Sequence, residues 1–360
     1  MEPIATTQPN TQVSTTAKSS HLKELKVSAL LDWRESKGQK PTLVAVSENT
    51  TMEKMLEILR EQNLQAIPIH VHSAPTAFLG IISVLDLVTI SVFQPLFDEL
   101  HDELQRHHAS GPDKKIHQIL REGSAFFERP VGSLTGFTSE SAGFLPRRAE
   151  EDLKGILQYF AEGNHQILVL GGNGPQMLTQ IDVLQWALEN RELFPSGVFD
   201  TSIDILVSMG RCSPEHYEAD YPTAMVTIHE STSAFQAFKA MFTHKCSAIA
   251  IVNDDGKFAG NVSGADLRGF NKENAIHFLS PVESTSTLVK EFIQKVHGVD
   301  CLDKSLCIQD ANMTLLDLSR RILDKKVHRA FLLDSLGRPS MMITLTDIIA
   351  TLFNPISHEE

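Results

Sequence analysis

Net positive charge is missing from this 360-residue chain: 32 lysines and arginines stand against 45 aspartates and glutamates, for a formal net charge of −13. That balance excludes a broad electrostatic grip on nucleic acid or on an anionic membrane surface, so a phosphate ligand would need local positive charge. Cysteine is scarce. Cys212, Cys246, Cys301 and Cys307 form no CxxC pair, which argues against a zinc or dithiol motif and suits reduced thiols in the cytoplasm or nucleus. No HExxH cluster, no nucleophile motif and no Ser-His-Asp or Cys-His arrangement stands out, so the chain reads as a non-enzyme. The Gly-rich stretch at 171–174 lacks a following Gly-Lys-Ser/Thr and is expected to be a hairpin turn. The first twenty residues have no apolar core of the signal-peptide kind, and residues 1–22 are expected to form a disordered tail. One long apolar run, 77–97, is broken by Gly80, Ser83, Asp86 and Pro95. An unpaired aspartate is costly in a bilayer, so this run reads as a buried strand followed by a helix.

What is present is repetition. Apolar residues make up 42% of the chain and charged residues 21%, values of a globular protein with sizeable cores. One pattern occurs four times: an apolar strand, a Ser or Thr, two residues, an Asp, then an apolar helix. It is carried by Ser83 and Asp86, Thr179 and Asp182, Ser263 and Asp266, and Thr344 and Asp347. The four copies fall roughly 80 to 96 residues apart, a domain-sized period. Each is preceded by a second apolar strand and, before that, by a stretch with helical periodicity such as TTMEKMLEILREQN. Turn sequences such as DDGK and SLGRP separate the paired strands. The resulting strand–helix–strand–strand–helix units are expected at 23–96, 127–196, 199–276 and 278–356, with a charged helical insertion at 97–126.

These units resemble CBS repeats, and nearly everything from residue 23 onward is covered by the resemblance. Repeat four, VHRAFLLDSLGRP followed by ITLTDIIATL, and repeat three, THKCSAIAIVNDDGKFAGNVSGADLRGF, are similar to the gamma subunit of AMP-activated protein kinase and its plant and fungal relatives. The resemblance implies an α/β fold in which four βαββα repeats pair into two Bateman modules forming a pseudo-symmetric disc. It implies a regulatory adenine nucleotide (AMP, ADP or ATP) with no catalytic cofactor, and a protein kinase complex or a phosphatase as partner, with a homodimer also possible. Neither nucleic acid nor membrane is an expected partner. The sequence departs from the family where Gln65 and Gln166 take positions expected to be arginine, and where repeat two keeps Asp182.

A carboxylate at a helix start can accept from both ribose hydroxyls, and the helix amino terminus favours an anion. On the family's pattern Asp86, Asp182, Asp266 and Asp347 are the ribose candidates, with Ser83, Thr179, Ser263 and Thr344 beside them. His165, His244, Lys245, Ser247, His328 and Arg329 are the phosphate candidates. Ser/Thr-x-x-Asp is also a helix cap that stabilises by about 1 kcal/mol with no ligand at all. The function expected is therefore a nucleotide-responsive regulatory subunit or, with the caps alone, a nucleotide-independent scaffold.

Overall fold

The computed structural model describes residues 22, 24–38, 43–93, 127–136, 139–142, 144–171, 174–208, 217–218, 221–269, 271 and 287–353. The expected insertion at 97–126 and the expected tail, apart from Leu22, lie outside the described residues.

The repeated pattern folds four times, alike except at the end of repeat three. In repeat one, β1 (Val46–Ser47) leads to helix α2 (Met52–Glu61), β2 (Ala66–Val71), β3 (Ala74–Ser83) and α3 (Val84–Phe93); a preceding helix, α1, spans Val27–Ser36. Repeat two is β4 (Arg147–Arg148), α4 (Leu153–Ala161), β5 (Gln166–Leu170), β6 (Gln176–Thr179) and α5 (Gln180–Glu189). A short helix α6 (Ile203–Ser208) and a two-stranded ribbon, β7 (Tyr217–Glu218) with β8 (Tyr221–Met225), precede repeat three. That repeat holds β9 (Thr227–His229), α7 (Ala234–Thr243), β10 (Ala248–Val252) and β11 (Phe258–Ser263). Helices α8 (Val289–His297) and α9 (Cys301–Lys304) lead into repeat four, which is β12 (Cys307–Ile308), α10 (Leu315–Lys325), β13 (Arg329–Leu333), β14 (Pro339–Thr344) and α11 (Leu345–Phe353). The sheet of each repeat has three strands, the first pair parallel and the second antiparallel.

Helix starts follow from the sequence. Thr51, Ser233 and Thr314 each cap the first helix of their repeat by accepting from the backbone N–H three residues on. The second helix of repeat two starts with a reciprocal capping box between Thr179 and Asp182. Repeat three departs from the expected pattern. After Ser263 the chain forms a 3-10 turn, Gly264–Gly269, in place of an α-helix. A Cβ on Gly269 would lie 1.9 Å from the Val296 side chain, so α8 is seated directly on this turn.

The repeats exchange their leading segments. Thr51 bridges to Pro130, Asp152 to Lys26, Ser233 to Leu288 and Thr314 to Ser202. Each bridge carries the same two backbone bonds, for example Met52 N–H to Arg129 O and Val131 N–H to Thr50 O. The chain leading into repeat one thus packs on repeat two and the converse, and repeats three and four do the same. The two pairs are the expected Bateman modules. Phe258 and Phe331, with ring centroids 5.0 Å apart, pack between the sheets of repeats three and four.

The modules meet through their helices. One core cluster joins Met55, Leu59 and Ile67 of repeat one to Phe238, Ile249 and Phe292 around repeat three. A second joins Phe160, Ile167 and Leu184 of repeat two to Ile322, Ala330 and Ile348 of repeat four. Repeats one and three thus share one core, and repeats two and four another. The apolar run at 77–97 divides into β3 and α3, and among the described residues no helix is long and apolar enough to cross a membrane.

Candidate functional site

The residue just before the second strand of each repeat turns its carbonyl to the start of the following helix. Val84 N–H donates to Gln65 O, Gln180 N–H to His165 O, Gly264 N–H to Ser247 O and Leu345 N–H to His328 O. Gln65, His165, Ser247 and His328 are thus equivalent. The next residues are equivalent too: Ala66, Gln166, Ala248 and Arg329 each pair in register with the Ser or Thr of their own motif. This corrects the alignment of repeat one. Gln65 stands where the histidines stand, and it is Ala66 that stands in the place of Arg329.

All of these equivalent residues except Ala248 line one cavity of about 680 Å³ reached by all four repeats. Six lysines or arginines and only three aspartates border it: Arg34, Arg268, Lys304, Lys325, Lys326 and Arg329 against Asp182, Asp266 and Asp303. In a chain of net charge −13 this is a concentrated positive centre. The Arg329 guanidinium donates to Ser247 O at 3.1 Å, and its buried Nε has no hydrogen-bond partner among the described residues. Burial pushes the Arg329 guanidinium down to about 10, with Asp266 opposing the shift. Burial, followed by the charges of Arg329, His165 and Arg268, pushes His328 down to about 4, so this imidazole is neutral near pH 7.

Of the sequence-derived candidates, Ser83, His165, Thr179, Asp182, Ser247, Ser263, Asp266, His328 and Arg329 border the cavity. Asp86, Thr344 and Asp347 do not, and neither do His244 and Lys245. Asp86 is fully buried; Ser83 and Ser141 donate to its two oxygens. Asp347 is buried and accepts from the Thr344 N–H and hydroxyl, both at 2.7 Å. His244 caps the end of α7, and exposed Lys245 follows it with φ 53°, in the left-handed region that ends the helix. That backbone role accounts for Lys245 without a ligand.

Asp182 and Asp266 have cationic partners that single motifs do not reveal. Arg34, on α1, lies 3.5 Å from Asp182 and donates to Met177 O and Gln176 Oε1. Lys304 Nζ lies 2.6 and 2.7 Å from the two oxygens of Asp266, and His297 Nε2 lies 2.5 Å from one of them. Burial alone would raise the Asp266 carboxyl, but the Lys304 charge and the His297 bond outweigh it and hold the group well below the usual carboxylate range. Arg268 ties repeat three to repeat one through Asn63 Oδ1 and Leu64 O. Arg34, His297 and Lys304 arrive on exchanged segments, so only the fold brings them to the motifs. Arg268 lies inside the ADLRGF motif, two residues from Asp266, and its basic side chain there is the one signal in the sequence.

The Arg147–Arg148 pair begins repeat two's sheet, with Arg147 over the Tyr159 ring at 5.4 Å. Among the described residues no group of three potential metal ligands occurs.

Comparison with known proteins finds a recognised domain in two of the four repeats. The CBS domain profile matches residues 40–92 and 219–272, within repeats one and three. Protein SDS23 of Candida albicans is 19% identical over 332 residues, covering 87% of this chain and 51% of that protein. Protein SDS23 of Debaryomyces hansenii is 20% identical over 273 residues, 69% and 46% of the two chains. The chain thus spans about half the length of the curated relatives it matches. SNF1-related protein kinase regulatory subunit gamma-1 of Arabidopsis thaliana is 29% identical over 137 residues, 36% of this chain and 31% of that one. The solved structure of protein MJ1225 from Methanocaldococcus jannaschii, described as a candidate archaeal homolog of g-AMPK, superposes with a TM-score of 0.61. It is 12% identical, covers 86% of this chain and 96% of that chain, and shares the fold. The chain thus carries CBS domains in repeats one and three, where the profile matches, repeats the same three-stranded sheet and segment exchange in all four units, and is similar to the gamma subunits of AMP-activated protein kinase.

Proposed function

We propose that the chain is a regulatory subunit that binds an adenine nucleotide in the central cavity and passes its state to a partner protein kinase. The observation that carries this reading is the cluster of Arg329, His328, His165 and Arg268 at the meeting point of four repeats in an acidic chain. Such a cluster stabilises a phosphate by charge-assisted hydrogen bonds in a partly desolvated site. Ser247, Thr179 and Ser263 supply neutral donors at its edge, and Asp182, which borders the cavity and is 15% exposed, is the ribose acceptor. AMP, ADP and ATP differ in charge and length, so each would favour a different arrangement of the two modules, which a partner can read. Kinase partnership rests on the similarity to the plant gamma subunit. The protein acts in the cytoplasm or nucleus and turns over no nucleotide.

The test is direct. Millimolar AMP, ADP or ATP raises the Tm of the purified chain by mass action, with no hydrolysis, and a kinase copurifies with it from its own cells. Absence of any shift with all three nucleotides supports the second reading, a scaffold. That reading draws on Gln65, Ala66 and Gln166, which leave the first module without the Arg that repeat four carries.

A further inference from the structure

The four motif aspartates occupy equivalent places, yet what faces them differs. The segment exchanged between paired repeats brings a hydroxyl, Ser141, to Asp86, and a guanidinium, Arg34, to Asp182 at 3.5 Å. To Asp266 it brings an ammonium and an imidazole, from Lys304 and His297. Lys304 spans both carboxylate oxygens, His297 shares one of them, and Ser263 donates its N–H to the other at 2.7 Å. Asp266 is 1% exposed, so neither oxygen is open to a ribose hydroxyl. The segment bearing these cations is seated without clearance. A Cβ on Gly260, where φ is +133°, would lie 2.5 Å from Cys301 Sγ, and Cys301 Sγ itself donates to Ala259 O at 3.0 Å. With Val296 pressed on Gly269, the chain on both sides of the α8–α9 junction rests on repeat-three backbone.

We propose that Lys304, assisted by His297, is a built-in occupant of repeat three's ribose site and so determines which repeats of this protein can accept a nucleoside. The inference rests on the nucleotide reading given above and assigns the specificity within it. Lys304 satisfies the carboxylate in the way a pair of ribose hydroxyls would, and the covalent tether keeps it there at any ligand concentration. Repeat three is then a permanently closed copy whose role is to hold the α8–α9 segment, while Asp182, with one cation at longer range, is left as the exchangeable acceptor at the cavity.

Adenosine carries the ribose without phosphate and isolates this term. In the full chain, Lys304→Ala with His297→Ala gains one adenosine site by titration calorimetry, and adding Asp266→Asn removes the gain. Unchanged stoichiometry in the double variant, or loss of a parental adenosine site on Asp266→Asn alone, overturns the proposal. A measurement on the unaltered protein covers the case in which the double variant does not fold. Acylation of lysines read by mass spectrometry leaves Lys304 protected both without ligand and at saturating AMP. Labelling of Lys304 that appears as AMP saturates shows ribose displacing it and contradicts the proposal. Failure of the parent to bind AMP overturns the nucleotide reading instead, and the gain in adenosine stoichiometry is read separately from it.

Discussion

Arg329 of repeat four donates across its module to the backbone carbonyl of Ser247 in repeat three, at 3.1 Å. This one bond places a cation from the last repeat at the equivalent strand start of its neighbour, which is why the cavity belongs to no single repeat.

His328 beside it makes stability depend on pH. Its pKa is about 4 in the folded chain and near 6.5 when unfolded. Between those values the unfolded state binds the proton and the folded state does not, so stability falls as pH is lowered from about 6.5 toward 4. Tm measured between pH 7 and 5 drops in the parent, and His328→Gln flattens that part of the profile. An unchanged slope in the variant means that the proton is taken up elsewhere.

Segment exchange predicts which pieces fold. Thr314, capping α10, bridges to Ser202, and Phe331 packs on Phe258. A fragment of residues 197–360 contains both partners and unfolds cooperatively by itself; residues 278–360 contain neither and show no cooperative transition as a monomer. Phe331→Ala in the full chain costs about 3–5 kcal/mol, because a fully buried ring leaves a cavity between two sheets.

Much of this was legible in the sequence. The fourfold Ser/Thr-x-x-Asp motif, the paired apolar strands and the amphipathic stretches identify the repeats, because each is a local signal of hydrogen bonding or periodicity. Among the described residues, the stretch Gly264–Gly269, where an α-helix was expected to start, is a 3-10 turn, which Gly264 and Gly269 and the close approach of Val296 favour. The offset of Gln65 was hidden because only strand register distinguishes it from Ala66. Arg34, His297 and Lys304 come to the site on segments exchanged between repeats, a relationship no single motif encodes.

Lys245 separates a backbone role from a ligand role. It has φ 53°, which costs an L-residue roughly 1 kcal/mol and carries no steric cost for glycine. Lys245→Gly should raise stability by about 0.5–1 kcal/mol in urea denaturation and leave AMP affinity unchanged. A tenfold loss of AMP affinity would return Lys245 to the phosphate site.

The central claim is that the phosphate of an adenine nucleotide is held by the Arg329 cluster. Calorimetry with AMP and with adenosine, on the full chain and on Arg329→Gln, tests it most directly. A charge-assisted hydrogen bond contributes about 1.5–3 kcal/mol, so the variant should bind AMP roughly tenfold or more weakly and adenosine as the parent does. Its AMP affinity should also depend less on salt. A folded Arg329→Gln protein that binds AMP as tightly as the parent, with the same salt dependence, contradicts the account.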